Sequence, residues 1–114
     1  MPRTADHFLP LAPATLHILL SLASEKMYGY AIMQEVARQS EGRFKLGPGT
    51  LYDNLQRLMK QGLVEEAGGF GDDNPRRRYY RLTGLGRGVF NAEIERLRAV
   101  VDHAGLKTLR PRRT

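Results

Sequence analysis

Apolar residues recur along the first sixty positions at the three- and four-residue steps of helices. Leu16, Leu19, Leu20 and Ala23 share one such face, behind an Ala12 and Pro13 opening. Proline suits the first helical position because the N–H it lacks would be unpaired there. Ser24, Glu25 and Lys26 form a connector. Ile32 and Val36, with Tyr28, form the inner side of a second helix over about 29–40, whose Gln34, Glu35, Arg38 and Gln39 face outward. Glu41, Gly42 and Arg43 end it, with Gly42 suited to the left-handed turn that closes helices. A third helix is entered through Gly47, Pro48, Gly49 and Thr50 and stopped by Gly62. At 100° per residue Leu51, Leu55, Leu58 and Met59 fall on one side. Thr50, Asp53, Gln56, Arg57 and Lys60 fall on the other, with Tyr52 and Asn54 on the flanks.

The periodicity then changes. Residues 63–66 and 77–82 read as two strands, joined by a stretch dense in turn residues, AGGFGDDNP. Alternation places Arg77, Tyr79 and Arg81 on one face and Arg78, Tyr80 and Leu82 on the other, with Tyr80 and Leu82 the better core residues. A last helix starts near Thr83 and Gly84 and runs to about Ala104. Its Phe90, Ile94, Leu97, Val101 and Ala104 step by four and three, the spacing of a seam between two helices. That seam suits pairing with the same helix of a second subunit, or packing back onto the first helix of its own chain. The expected fold is mainly α with a small β-hairpin: a winged helix-turn-helix plus a C-terminal dimerisation helix. On this reading residues 1–11 are an N-terminal arm, 12–82 the winged helix-turn-helix domain, 83–106 the dimerisation helix and 107–114 a basic tail.

Composition narrows the partner. The 114 residues carry a formal charge of +6 and a pI near 10.1, which favours a polyanion. There is no cysteine, so disulfides and thiolate metal sites are excluded, as suits a reducing cytoplasm. The apolar run from Leu16 is too short to span a bilayer, and the N-terminus lacks the pattern of a signal peptide, so a cytoplasmic protein without membrane association is expected. Asp72 and Asp73 read as turn chemistry, and His7, His17 and His103 are scattered, so no metal site is expected. Thr15, Ser21 and Ser24 lack a base at useful spacing, and GPGTLY lacks the closing Gly-Lys of a phosphate loop. Neither catalysis nor a cofactor is expected.

What remains is DNA chemistry. A helix enters the major groove with small and polar residues near its N-terminus, its apolar face locked behind it. Gly47 and Gly49 leave the backbone open to phosphate, and Asn54, Gln56 and Arg57 supply donors, with Lys60 adding charge. Asp53 on that side is repelled by phosphate unless it pairs with Arg57, four residues on, or accepts from a cytosine amino group. Arg76, Arg77 and Arg78 place guanidinium groups on the hairpin, suited to phosphate or a narrow minor groove.

In order and spacing these segments resemble the PadR family of transcriptional regulators. The resemblance runs from about Leu16 to Phe90. It is carried by Tyr28, Gly29 and Tyr30; by Pro48, Gly49, Thr50, Leu51 and Tyr52; by Gln61, Gly62, Leu63 and Val64; and by Tyr79 to Thr83 with Gly86 and Arg87. It implies a dimeric winged-helix binder of double-stranded DNA, usually a repressor, that dimerises through its C-terminal helix. It places Gly49, Thr50 and Tyr52 on the DNA-contacting start of the recognition helix and Arg76, Arg77 and Arg78 on the wing. Asp53 departs from the family, which commonly has proline after the tyrosine, and a single helix after the wing marks the short branch. The expectation is a homodimeric regulator on a palindromic operator, open to control by a small-molecule effector that the sequence does not identify. The rival is a winged-helix module that binds protein or RNA.

Overall fold

The computed structural model describes residues 5–68 and 77–107. A short 3-10 turn, Ala5–Phe8, precedes helix α1 (Pro13–Leu22), a two-residue strand β1 (Met27–Tyr28), helix α2 (Gly29–Gln39) and helix α3 (Pro48–Lys60). Strands β2 (Val64–Ala67) and β3 (Tyr79–Leu82) and the long helix α4 (Gly84–Lys107) follow. The expected Asp72 and Asp73 turn, Arg76 and all but the first residue of the basic tail lie outside the described residues.

The three helices and the hairpin stand where periodicity put them, around one core of Ile18, Leu19, Leu22, Ile32, Val36, Leu51, Leu55, Leu58, Tyr80 and Val89, among others. Strand β1 was not expected. It pairs antiparallel with β3, Met27 opposite Tyr80 and Tyr28 opposite Tyr79, so the sheet order is β1-β3-β2. Two residues carry too little pattern to announce a strand; the hairpin edge creates it by offering unpaired backbone groups. The hairpin is also shorter than expected: Leu63 is buried but precedes β2, and Arg77 and Arg78 precede β3.

The face of α1 differs from expectation. Thr15, Ile18, Leu19 and Leu22 are inside, while Leu20 is 37% exposed and Leu16 half-buried. In the run HILLSL several faces are apolar, so periodicity alone does not choose among them. Neighbours do: Ser21, also buried, donates to the His17 carbonyl and accepts a hydrogen bond from Gln39 of α2 at 3.1 Å. Gln39 was expected to face outward; instead it bridges α1 and α2, with its Oε1 3.1 Å from His17 Nδ1.

Helix α2 closes with Glu41 at φ 54° and Gly42 at φ 79°, the Gly42 N–H reaching back to the Ala37 carbonyl. The first left-handed position thus falls on Glu41, one residue before the expected Gly42. A side chain there costs about 1–2 kcal/mol. Glu41→Gly should therefore raise the thermal midpoint by a few degrees in a melting experiment; an unchanged or lower midpoint would show that the added freedom of the unfolded chain offsets the relief.

Helix α3 ends in the double-bonded turn that glycine favours. Gly62, at φ 79°, donates to Met59, and Leu63 donates to Leu58 at 2.9 Å. That turn delivers the chain directly into β2. At the same end of the sheet, where β3 finishes beside the start of β2, the Thr83 hydroxyl donates to the Gly62 carbonyl at 2.6 Å and accepts the Gly86 N–H at 2.9 Å. One residue therefore caps α4 and ties it to the end of α3.

Helix α4 presents two stripes. Gly86, Val89 and Glu93 are buried against the body. Phe90, Ile94 and Leu97 are half-buried, Val101 is 60% exposed and Ala104 is half-buried. Packing back onto the chain's own body thus uses a stripe offset from the seam. Beyond Glu93 no residue of the helix is buried, and Val100 and Leu106 stand exposed.

Candidate nucleic-acid interface

Gly47 caps α3 in extended conformation, Pro48 takes its first position, and no side chain caps the end. The N–H groups of Gly49 and Thr50 are left without helical partners, and both residues are exposed. Such an end favours an anion. Behind it Leu51, Leu55 and Leu58 are fully buried, which fixes the helix on α2 and the sheet. Asp53, Gln56, Arg57 and Lys60 are exposed on the outer side, as their angular positions predict, and Tyr52, on the flank, is exposed as well.

Asn54 is a correction. It is 6% exposed, its amide donates to the Thr50 carbonyl at 2.8 Å, and its Oδ1 accepts from Arg57 at 2.5 Å. Both ends of the side chain are used within the helix, so it is not presented for base contact. The expected Asp53 and Arg57 pairing is replaced for the same reason: Arg57 turns to Asn54, and no ion pair to Asp53 forms among the described residues. Arg57 also borders a 240 Å³ pocket shared with Phe8, Leu11, Thr15 and Gln61, on the side of the arm.

The foot of the wing is built by cross-strand pairing. Glu65 stands opposite Arg81, and the two form an ion pair at 2.8 Å. Glu66 lies 3.7 Å from Arg78. All four side chains are substantially exposed, so these pairs orient the arginines more than they stabilise the fold. Arg77 stacks its guanidinium 4.3 Å from the centre of the Tyr28 ring, and Tyr28 meets Tyr79 edge-on at 5.5 Å. Lys26 lies over the other end of this row, 5.5 Å from the Tyr79 ring, and donates to the Gly68 carbonyl. Tyr80 closes the base from inside, where burial pushes its phenol above the usual range, aided by the nearby Tyr52 and Glu66.

Strand β1 has a consequence for the surface. It draws the start of α2 against the wing, so that Tyr28, Tyr30, Tyr52, Arg77 and Arg78 line a single open notch of about 630 Å³. Reasoning from α3 and the hairpin alone missed Tyr30, which is 58% exposed, and the exposed Arg43 and Lys45 in the loop before α3. The tyrosines were visible as a motif, but only the pairing of β1 with β3 puts them beside the arginines. Among the described residues no three His, Asp or Glu side chains converge on one point, and no helix is long and apolar enough to cross a membrane.

Comparison with known proteins agrees with this geometry. The model of the transcriptional regulator PadR-like family matches residues 18–92. The chain is 41% identical over 79 residues to an uncharacterised protein of Lysinibacillus sphaericus, covering 68% of this chain and 72% of that one. It is 34% identical over 82 residues to the transcriptional regulator Rv3488 of Mycobacterium tuberculosis, covering 72% and 73%. A crystal structure of a PadR family transcription regulator from Clostridium difficile superposes with a TM-score of 0.70 over 83% of this chain and 97% of that one, at 23% identity.

Proposed function

Because the chain belongs to the PadR-like family of transcriptional regulators, we propose that it is a homodimeric repressor that binds a palindromic operator through α3 and the wing. The observation that carries this reading is the meeting, in one notch, of the wing residues Arg77 and Arg78 with Tyr52 of α3, a helix that starts uncapped and exposes Gly49, Thr50, Gln56 and Lys60. Asp53 is exposed on the same helix, where its charge would favour a cytosine amino group over phosphate. The role assigned to Arg76 rests on the sequence alone.

Dimerisation is supported by the seam on α4. Phe90, Ile94, Leu97 and Ala104 are only half-buried and Val101 is exposed, on a helix with no fully buried residue described beyond Glu93. A lone helical end of that kind is marginal in water. A second copy of α4 covers the seam, and the resulting two-fold axis would set two α3 helices about 34 Å apart, one turn of DNA. Control by a small molecule is compatible with this arrangement, with no ligand class indicated.

Selection from a random duplex library tests the reading. Enrichment of a two-fold symmetric site supports it; enrichment of no sequence refutes it. Arg77→Ala should weaken binding to the selected and to random duplex alike and reduce the slope of log affinity against log salt by about 1. An unchanged slope would remove Arg77 from the phosphate contacts.

A further inference from the structure

The notch beside α3 has a chemistry more particular than a basic surface. Among the described residues its lining contains two guanidinium groups and several tyrosines, and no carboxylate. Arg78 lies 3.7 Å from Glu66, and Arg77 is laid flat on the Tyr28 ring at 4.3 Å. That ring is itself braced by Tyr79, so Arg77 is held at the notch before any partner arrives. The Tyr30 and Tyr52 side chains are 58% and 45% exposed, and their hydroxyls make no hydrogen bond to the described residues. Tyr52 reaches this position because residue 29 is glycine: a Cβ there would sit 2.9 Å from the Tyr52 Cζ and overlap its hydroxyl.

We propose that this notch seats one backbone phosphate of each operator half-site, with Arg77 supplying charge, the Tyr30 and Tyr52 hydroxyls donating hydrogen bonds, and Tyr28 acting as a positioning residue for Arg77. The assignment rests on the DNA-binding reading above and adds to it a defined subsite and two residues, Tyr28 and Tyr30. Tyrosine hydroxyls and guanidinium groups together suit a phosphodiester, which accepts several hydrogen bonds around one negative charge. The notch is open along one side, as a continuous sugar–phosphate strand requires. DNA laid on the exposed face of α3 passes it, because Tyr52 lies in the first turns of that helix.

The test uses the full chain and the duplex recovered by library selection. Tyr30→Phe and Tyr52→Phe should each weaken binding roughly tenfold, the scale of a hydrogen bond to a charged group. Their salt slope should be unchanged, because a hydroxyl releases no counterion. Tyr28→Leu should lower affinity while Tyr28→Phe, which keeps the ring under Arg77, restores it. Duplexes carrying a single neutral methylphosphonate are then scanned along each half-site. At one position the penalty of Tyr30→Phe should vanish, since the hydroxyl has lost its partner. Equal affinity of the Phe variants and the parent, or a penalty that persists at every position scanned, would overturn the seat while leaving operator binding intact. A parent chain that enriches no duplex would instead overturn the DNA-binding reading, and the seat with it.

Discussion

Replacing Gly86 with alanine is expected to lower the thermal midpoint by roughly 10–20 °C, the shift that corresponds to a loss of about 3 kcal/mol in a domain of this size. Gly86 sits in the first turns of α4, where the helix backbone lies directly on the chain at Leu63. An added Cβ would overlap the Leu63 carbonyl oxygen and sit 2.9 Å from its carbon. Neither side can yield cheaply. The Leu63 carbonyl accepts the Thr83 N–H at 3.1 Å, and Leu63 itself closes the end of α3 through Leu58. Small-to-large changes in packed cores commonly cost about 1–3 kcal/mol, and the upper end applies where the crowded atoms are backbone. Gly88 is the internal control. Nothing lies within 4 Å of a Cβ placed there, so Gly88→Ala should instead stabilise by up to about 1 kcal/mol through helix propensity. If both variants melt at the same temperature, contact with Leu63 is not what selects glycine at position 86. The same contact joins the end of α3, the root of the hairpin and the start of α4 at one point.

The second large effect belongs to Glu93. This carboxylate is 1% exposed, yet it is ionised and fully used. Arg96 approaches it with two nitrogens at 2.5 and 3.1 Å, and the Leu11 N–H donates to it at 2.9 Å. The Arg96 hydrogen bonds, followed by that of Leu11, hold its pKa below the usual carboxylate value against the opposing effect of burial. Glu93 therefore fastens the segment before α1 to α4. Glu93→Leu should cost roughly 2–3 kcal/mol, since it removes charged hydrogen bonds and leaves a backbone donor unpaired. A depressed pKa means that the folded state binds its proton less readily than the unfolded chain. The contribution is then fully present above the unfolded value of about 4.3 and is lost as pH falls below it. Melting curves from pH 7 to pH 3.5 should show the parent losing stability below about pH 4.5, with a shallower acid limb for Glu93→Gln, which has no proton to take up there. Amide exchange at Leu11 should accelerate in Glu93→Leu. Slow exchange at Leu11 in that variant would show that other contacts hold the arm.

Much of the fold was legible because its signals are local. Gly47 and Pro48 open α3, Gly62 closes it, and Leu51, Leu55 and Leu58 mark its inner face without reference to any other element. Tyr80 and Leu82 were identified as core by alternation and are buried. The failures share a cause of another kind. Asn54 lies at the margin of the apolar stripe, and whether a margin is covered depends on the neighbouring elements. The face of α1 was misjudged because nearly every side of HILLSL is apolar, so only the neighbours distinguish them. Ser21 went inside because Gln39 was there to meet it.

For the interface the division is similar. Residues 47–62 and the arginines before β3 were enough to announce a helix and a basic wing. Resemblance, confirmed by the match over residues 18–92, made them the parts of a PadR-like regulator. The chain by itself thus determined the elements, their order and the charge they carry, because helix caps, turn residues and periodicity act over a few positions. Only the tertiary structure decided which side chains share a surface. Pairing of Tyr28 with Tyr79 brings the start of α2 to the wing, and the close approach of Gly86 to Leu63 sets the wing's root on α4. Both contacts join segments distant in sequence, and such contacts form only when burial and backbone pairing are satisfied together.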